Sequence, residues 1–316
     1  MNNTGLVGRL TRLGSLIIAA AVLATPLRVK ALGVPFDMGS AGGWAILELG
    51  NGTVGSDTHI NNPSPPAVAD GNVGVVGYVN NGQPAGGTFN SSGPNVTGGL
   101  YLGTGASYSL SGGSQIQGGV TQNYAPLTGP TTTPSGAPVY NAALATYNFA
   151  KGLSVSAANT FATVNASIAF NTAGVYQIGT LDVHGGSITV NGSASDWYIF
   201  QITTKFNMQD AAQIVLNGGI TADHVLWTLE NGADVSTSGG LNQETILRGT
   251  FLGMDGSKVN LSPGALYGEV AVDGDISLAS GASVVYPNEV PDQGSTLLLL
   301  SGAMGLIVAG RKIVLT

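Results

Sequence analysis

From Tyr176 to Leu278 the chain alternates apolar and polar residues in short runs, each closed by Gly, Asn or Asp. Leu181 and Val183, Ile188 and Val190, and Tyr198 and Phe200 each stand two residues apart, and further runs lie at 214–216, 225–229, 246–252, 259–261, 266–272 and 276–278. Period-two alternation with frequent turn residues predicts strands. Circuits of about 20 residues, without matched two-residue hairpin loops, predict a parallel β-solenoid, with a sandwich as the alternative. The first half carries the same grammar more weakly, at 44–49, 72–79 and 98–120, where Leu100, Leu102, Tyr108, Leu110, Ile116 and Val120 are the inward candidates. A Pro- and Thr-rich loop at 125–138 interrupts it. Residues 138–151, PVYNAALATYNFAK, break the period: Pro138 suits a first helical position, Tyr140, Leu144 and Tyr147 fall on one face, and Lys151 precedes Gly152. One helix docked along an all-β body is the expected fold.

Composition changes this picture in two ways. Glycine supplies 49 of 316 residues and charged residues only 9%, a bias that suggests disorder until the regular spacing of β-branched residues is weighed against it. Within residues 32–291 the cations are Lys151, Lys205, Arg248 and Lys258 against sixteen carboxylates, a net charge near −12. That balance excludes nucleic acid as a partner. With no cysteine, burial and backbone pairing must hold the fold together.

Both ends read as addresses. Arg9 and Arg12 precede an apolar run at 13–25, so residues 1–31 read as a secretory signal peptide. At the other end, residues 290–316 place Val290, Pro291, Asp292, Gln293 and Gly294 before an apolar stretch at 297–310 and the basic pair Arg311 and Lys312. Fourteen residues span only ~21 Å of a hydrocarbon core of roughly 30 Å. The stretch therefore reads as a temporary stop rather than a permanent span. This tail resembles the PEP-CTERM sorting signals of Gram-negative bacteria in their VPDSG form, with Gln293 in place of serine. The resemblance implies transient inner-membrane retention, an exosortase-like protease as partner, and delivery to the cell surface or extracellular matrix. Residues 32–289 are then one exported domain.

Within that domain, GVYQIGTLDVHGGSITVNG from Gly174, SDWYIFQI from Ser195, ADHVLWTLENGADVSTSGG from Ala222, ETILRGTFLG from Glu244 and LYGEVAVDGDISLASGASV from Leu266 follow one another. In this order, with WAILELGN and GNVGVVG before them, they resemble the ice-binding-protein-like family. That resemblance implies a discontinuous β-solenoid with one helix alongside, and a flat face that adsorbs to ice or a similar repetitive surface. The family's T-(A/G)-x-(T/N) motif occurs literally only at Thr128, Gly129, Pro130 and Thr131, in the Pro-rich loop.

Residues between core positions of a strand point outward. Thr180 and Asp182 around Leu181, Ser187, Thr189 and Asn191 around Ile188 and Val190, Asn260 and Ser262 around Leu261, and Asp275 and Ser277 around Ile276 are the candidates for a ligand face. A ladder of such groups suits ice or an extended polysaccharide, and a matrix or adhesion protein without ice activity is the competing reading. Catalysis is not expected. The carboxylates are dispersed, the nearest pair, Asp273 and Asp275, reads as turn chemistry, and His59, His184 and His224 lack metal-ligand spacing. No Lys follows the Gly-rich stretch at 98–113 in the manner of a phosphate loop, so neither metal nor cofactor is expected.

Overall fold

The computed structural model describes residues 36–50, 57–61 (backbone only), 69–80, 83–92, 96–130, 133–239, 244–279 and 282–286. The expected signal peptide at 1–31 and the tail at 290–316, including 297–310, lie outside the described residues. Among those described, no helix is long and apolar enough to cross a membrane.

Every pairing in the main sheet is parallel, and the strands stack into three ladders that enclose one core. Each circuit of chain contributes one segment to each ladder. The circuit 174–191 shows the pattern: 174–178 pairs with 198–202, 180–184 with 205–209, and 187–191 with 213–217. The result is a three-faced β-solenoid. Between consecutive circuits the step between register partners ranges from 17 residues (Thr160 to Gln177) to 33 (Gln213 to Ile246), the difference being taken up at the corners.

Alternation places one set of side chains inside. Along one ladder Tyr176, Phe200, Trp227, Phe251, Val270, Ile46, Val73 and Leu100 follow in register. Phe200 and Trp227 stack with ring centroids 4.1 Å apart, and Trp227 and Phe251 lie 5.8 Å apart. Two corners are turned without any loop. Ile246–Gly253 and Ala265–Val272 each bend between ladders at a glycine, Gly249 (φ 123°) and Gly268 (φ 152°), where a Cβ would strike Trp227 and the Gly249 carbonyl.

The stack does not follow chain order. Ile46–Glu48 pairs on one side with Val73–Val75 and on the other with 270–272, so the chain enters at the middle. From there it builds toward one end, crosses back along α1 (Pro138–Lys151), restarts at Thr160–Val164 at the other end, and returns to meet its own beginning. This is the discontinuous solenoid expected from the sequence.

α1 covers the ladder that begins at Thr160. Ile199, Leu226, Leu252, Ala271 and Leu47 point outward there and pack against Val139, Ala143, Tyr147 and Ala150 of the helix. The Gln201 side chain donates to the carbonyls of Ala150 (2.8 Å) and Leu153 (3.2 Å), closing the helix C-terminus. The buried stripe is Val139, Ala143, Thr146, Tyr147 and Ala150, with Tyr140 and Leu144 at its margin. It is offset from the expected aromatic face because small residues let the helix approach the sheet closely. Glu269 accepts from Gly43 N at 2.7 Å and pins the segment before the first strand onto the same face.

Two first-half expectations change. The run at 72–79 divides into Val73–Val75, inside the solenoid, and Gly77–Asn80, which forms an antiparallel hairpin with Gln83–Gly86. Gly77 permits the divergence, since a Cβ there would sit 2.5 Å from Ala106 N. Leu100 and Leu102 are buried as expected, whereas Tyr108, Leu110 and Val120 are exposed. Their inward phase is right, but they belong to the last circuit and nothing described lies above them.

Candidate ligand-binding face

With one face under α1, the other two are left uncovered among the described residues. The longer runs through Thr160–Val164, Gly174–His184, Tyr198–Gln209, Asp234–Ser238, Val259–Leu261, Ile276–Leu278, Asp57–Asn61, Thr88–Ser92 and Ser107–Ser111. At about 4.8 Å per strand its eight steps extend roughly 38 Å. Its inward positions include Leu181 and Val183, Phe206 and Met208, Val259 and Leu261, and Ile276 and Leu278, all fully buried. Between them a single outward column holds Asp182, Asn207, Ser236, Asn260, Ser277, Asn90 and Ser109, with His59 in register between Ser277 and Asn90. Apart from the His59 position, every member is small and polar. We call this the ladder face.

Adjacent members hold one another. Asn207 Nδ2 donates to Asp182 Oδ1 at 2.5 Å, and Ser236 Oγ donates to Asn207 Oδ1 at 2.8 Å. The Asn207 hydrogen bond, then Lys205 at 3.3 Å, hold the Asp182 carboxyl below its usual range. The neighbouring column carries charges of both signs: Lys205, Asp234, Lys258 and Asp275. Lys258 Nζ lies 2.8 Å from Asp275, which raises the lysine pKa. Toward one end this column passes Asp57 and becomes Thr88 and Ser107, whose hydroxyls meet at 3.0 Å. By register, two lysines stand here with four carboxylates, Asp57 included, and the hydrogen bonds and ion pairs just described hold several side chains in place, so less ordering entropy is lost when many weak contacts form at once.

The third face is mixed. Ser187, Thr189 and Asn191 lie here, and Asn191 links Asn171 and Asn217 in an amide ladder (2.6 and 3.1 Å). The polar stretch covers only three circuits. In register beyond Thr189 come Val215, Arg248, Tyr267 and Val285, with the Arg248 guanidinium 5.5 Å from the Tyr267 ring. Large, unlike side chains break the periodicity.

The sequence candidates therefore divide. Thr180, Asp182, Asn260 and Ser277 share the ladder face; Ser187, Thr189 and Asn191 share the mixed face. Ser262 sits past the end of Val259–Leu261, where its N–H donates to Thr237 Oγ1 at 3.0 Å. The Thr128 hydroxyl accepts from Thr104 N and donates to the Tyr124 carbonyl (both 3.0 Å), fixing a loop that bridges to Gly77 and is not part of the ladder-face strands. Asn207, Ser236, Asn90 and Ser109 were not singled out from the sequence. They carry the same alternation signal and needed only the knowledge of which strand neighbours which.

The charged and titratable groups outside this face serve local structure. Asp273 is 2% exposed, accepts from Gly256 N at 2.8 Å, and burial pushes its carboxyl up to about 6. His224 is buried with Nδ1 2.7 Å from the Asp196 carbonyl, whereas His184, at the end of a ladder-face strand, lies 3.4 Å from Asp182 and 3.5 Å from Asp210.

Residues 54–285 match the family model described as Ice-binding-like. No curated protein matches the chain. Among solved structures, the ice-binding protein of the Antarctic ascomycete Antarctomyces psychrotrophicus aligns over 80% of this chain and 99% of its own, at 16% identity and a TM-score of 0.50. An ice-binding protein from an Antarctic biological consortium covers 79% and 90% at 19% identity, with a TM-score of 0.50. An ice-binding protein of Shewanella frigidimarina covers 80% and 98% at 15% identity, with the same score. At these identities the likeness is one of fold.

Proposed function

Because the chain belongs to the Ice-binding-like family, we propose that it adsorbs, without catalysis, through the ladder face to ice or a similarly repetitive surface. The observation that carries this reading is the outward column of seven small polar groups, Asp182, Asn207, Ser236, Asn260, Ser277, Asn90 and Ser109, broken in register only by His59, on a face that α1 does not cover. A rigid row of hydroxyl and amide groups repeating at the strand spacing can hold water in a fixed pattern, and each ordered water costs little when the site is preformed. The solved structures that share the fold are ice-binding proteins by description.

Ice-affinity partitioning of the purified protein tests this. Asn260→Tyr places a bulky ring in the middle of the column at an exposed position, and Thr189→Tyr does the same on the mixed face. The wild type and Thr189→Tyr are expected to enter ice, and Asn260→Tyr to be largely excluded. Exclusion of the wild type, or equal uptake of all three, overturns the assignment. A second reading, binding of an exopolysaccharide matrix, is favoured by Tyr267, exposed and backed by Arg248 on the mixed face. It calls for polymer pull-down that Tyr267→Ala abolishes while ice uptake is absent.

Export and surface delivery belong to the same proposal and rest on residues 1–31 and 290–316. An exosortase-like protease acting at Val290 to Gly294 would part the domain from its tail. Truncation before Val290 is expected to release the protein into the medium, and unchanged retention would remove the tail from the account.

A further inference from the structure

The solenoid's two ends are finished differently. At the end formed by Thr160–Val164 and Ile168–Phe170, aromatic rings close over the core: Phe161 meets Phe170 edge-on at 5.9 Å, Phe170 meets Tyr176 at 4.8 Å, and Val164 and Phe170 are buried. At the opposite end no described residue covers the last layer. Tyr108 stands in register on buried Phe89, Leu110 on Ser91, Ile116 on Val96 and Val120 on Leu100. Each therefore occupies a core phase, yet Tyr108, Leu110 and Val120 are 39%, 36% and 36% exposed.

The backbone there is equally open. Ser107–Ser111 is exposed along its whole length and, among the described residues, pairs only with Thr88–Ser92. Ser107 N donates inward to the Gly87 carbonyl, so alternation turns the N–H and C=O of Tyr108 and Leu110 toward the free edge. Edge strands in monomeric proteins usually carry a charge, a proline or a bulge that discourages pairing. This one, SYSLS, carries none. Residues 71–150, which build the last two circuits and α1 up to its final residue, Lys151, contain no Asp, Glu, Lys, Arg or His across 80 positions, although the chain as a whole is acidic. Nothing at this end repels an identical end.

We propose that the open end docks a second copy of this chain, end to end about a two-fold axis, with Ser107–Ser111 pairing antiparallel to its mate. A strand edge is self-complementary under that symmetry: the outward groups of Tyr108 meet those of the partner's Leu110 and the reverse. The contact covers Tyr108, Leu110 and Val120 on both copies and joins the two ladder faces into one continuous surface. It does not depend on what that surface binds. The end is small in cross-section, so association is concentration-dependent.

Sedimentation velocity over a concentration series of the full chain tests the proposal. The weight-average mass of the wild type is expected to rise toward twice the monomer value. Leu110→Lys and, separately, Val120→Lys are expected to hold it at one, with melting temperatures close to wild type because both side chains already face solvent. A wild type that stays monomeric throughout overturns the proposal, as it would if another part of this chain caps the end. Association undiminished in both variants also overturns it, placing the contact elsewhere.

Discussion

Replacing Asp273 with Asn should make the protein more stable at neutral pH, and the sign follows from where the carboxyl sits. The turn at 273–275 links the helix-covered face to the ladder face, and Asp273 is directed into it, 2% exposed, with Oδ1 accepting the Gly256 N–H. Burial raises its pKa from 3.8 to about 6, against the opposing effect of the backbone hydrogen bonds. The folded state thus holds the proton more tightly than the unfolded chain does. Below pH 3.8 the group is neutral in both states and costs nothing. Between 3.8 and about 6 the unfolded chain ionises first, so stability falls as pH rises and levels off above the folded-state value. At 1.36 kcal/mol per pH unit the interval amounts to about 3 kcal/mol. Asparagine keeps the acceptor for Gly256 and removes the ionisation, so Asp273→Asn should gain up to about 3 kcal/mol at pH 7 and only about 0.5 kcal/mol at pH 4. At roughly 2–4 °C per kcal/mol for a chain of this size, thermal melts at the two pH values resolve the difference. The same offset between variant and wild type at both pH values, or a variant that is less stable at pH 7, would refute the reasoning.

Trp227→Ala should cost about 3–5 kcal/mol in urea unfolding by emptying the centre of the Phe200–Trp227–Phe251 stack; Trp227→Phe keeps a ring but orphans the Arg248 carbonyl that the indole N–H reaches at 3.0 Å, costing about 1–3 kcal/mol. Gly268→Ala should lose at least about 2 kcal/mol, or fail to fold, since its Cβ would lie 1.9 Å from the Gly249 carbonyl oxygen; Gly113→Ala, at φ 83° but with open space around it, should lose only about 1–2 kcal/mol in the same melts. Asp182 has the opposite sign to Asp273: its lowered pKa supplies stability above pH 3.8 that is lost as pH falls through the folded-state value. Asp182→Asn should therefore flatten the acid limb of the stability curve below pH 4, and an unchanged limb would show that Asn207 and Lys205 do not favour the ionised form.

Strand phase and the helix were legible because they are local. Pro138 and Gly152 bracket α1 at the expected residues, and Leu181, Val183, Ile188 and Val190 are buried as their alternation requires. What the sequence hides is adjacency. Circuits of unequal length mean that no fixed offset leads from Asp182 to Asn207, Ser236 and Asn260, so residues on two faces read as a single set. Thr189 looks as suitable as Thr180 until register places Val215 and Arg248 beside it. Exposure at Tyr108, Leu110 and Val120 was hidden for a related reason: an inward phase promises burial only where another circuit follows. The charges of the ladder face were visible singly, but their pairing, Lys205 with Asp182 and Lys258 with Asp275, depends on which coils touch.

The entry of the chain at mid-stack imposes an order on folding. Ile46 finds Val73 after 27 residues, but its other neighbour, Val270, is 224 residues away. By loop-closure entropy the second contact costs about 2 kcal/mol more than the first. The waist of the solenoid therefore closes last, when the returning strands at 270–272 reach Ile46–Glu48. Until then the three N-terminal circuits carry a bare strand edge beside Leu47. A chain interrupted before Val270 never covers it, so partial products are the form of this protein most prone to aggregate.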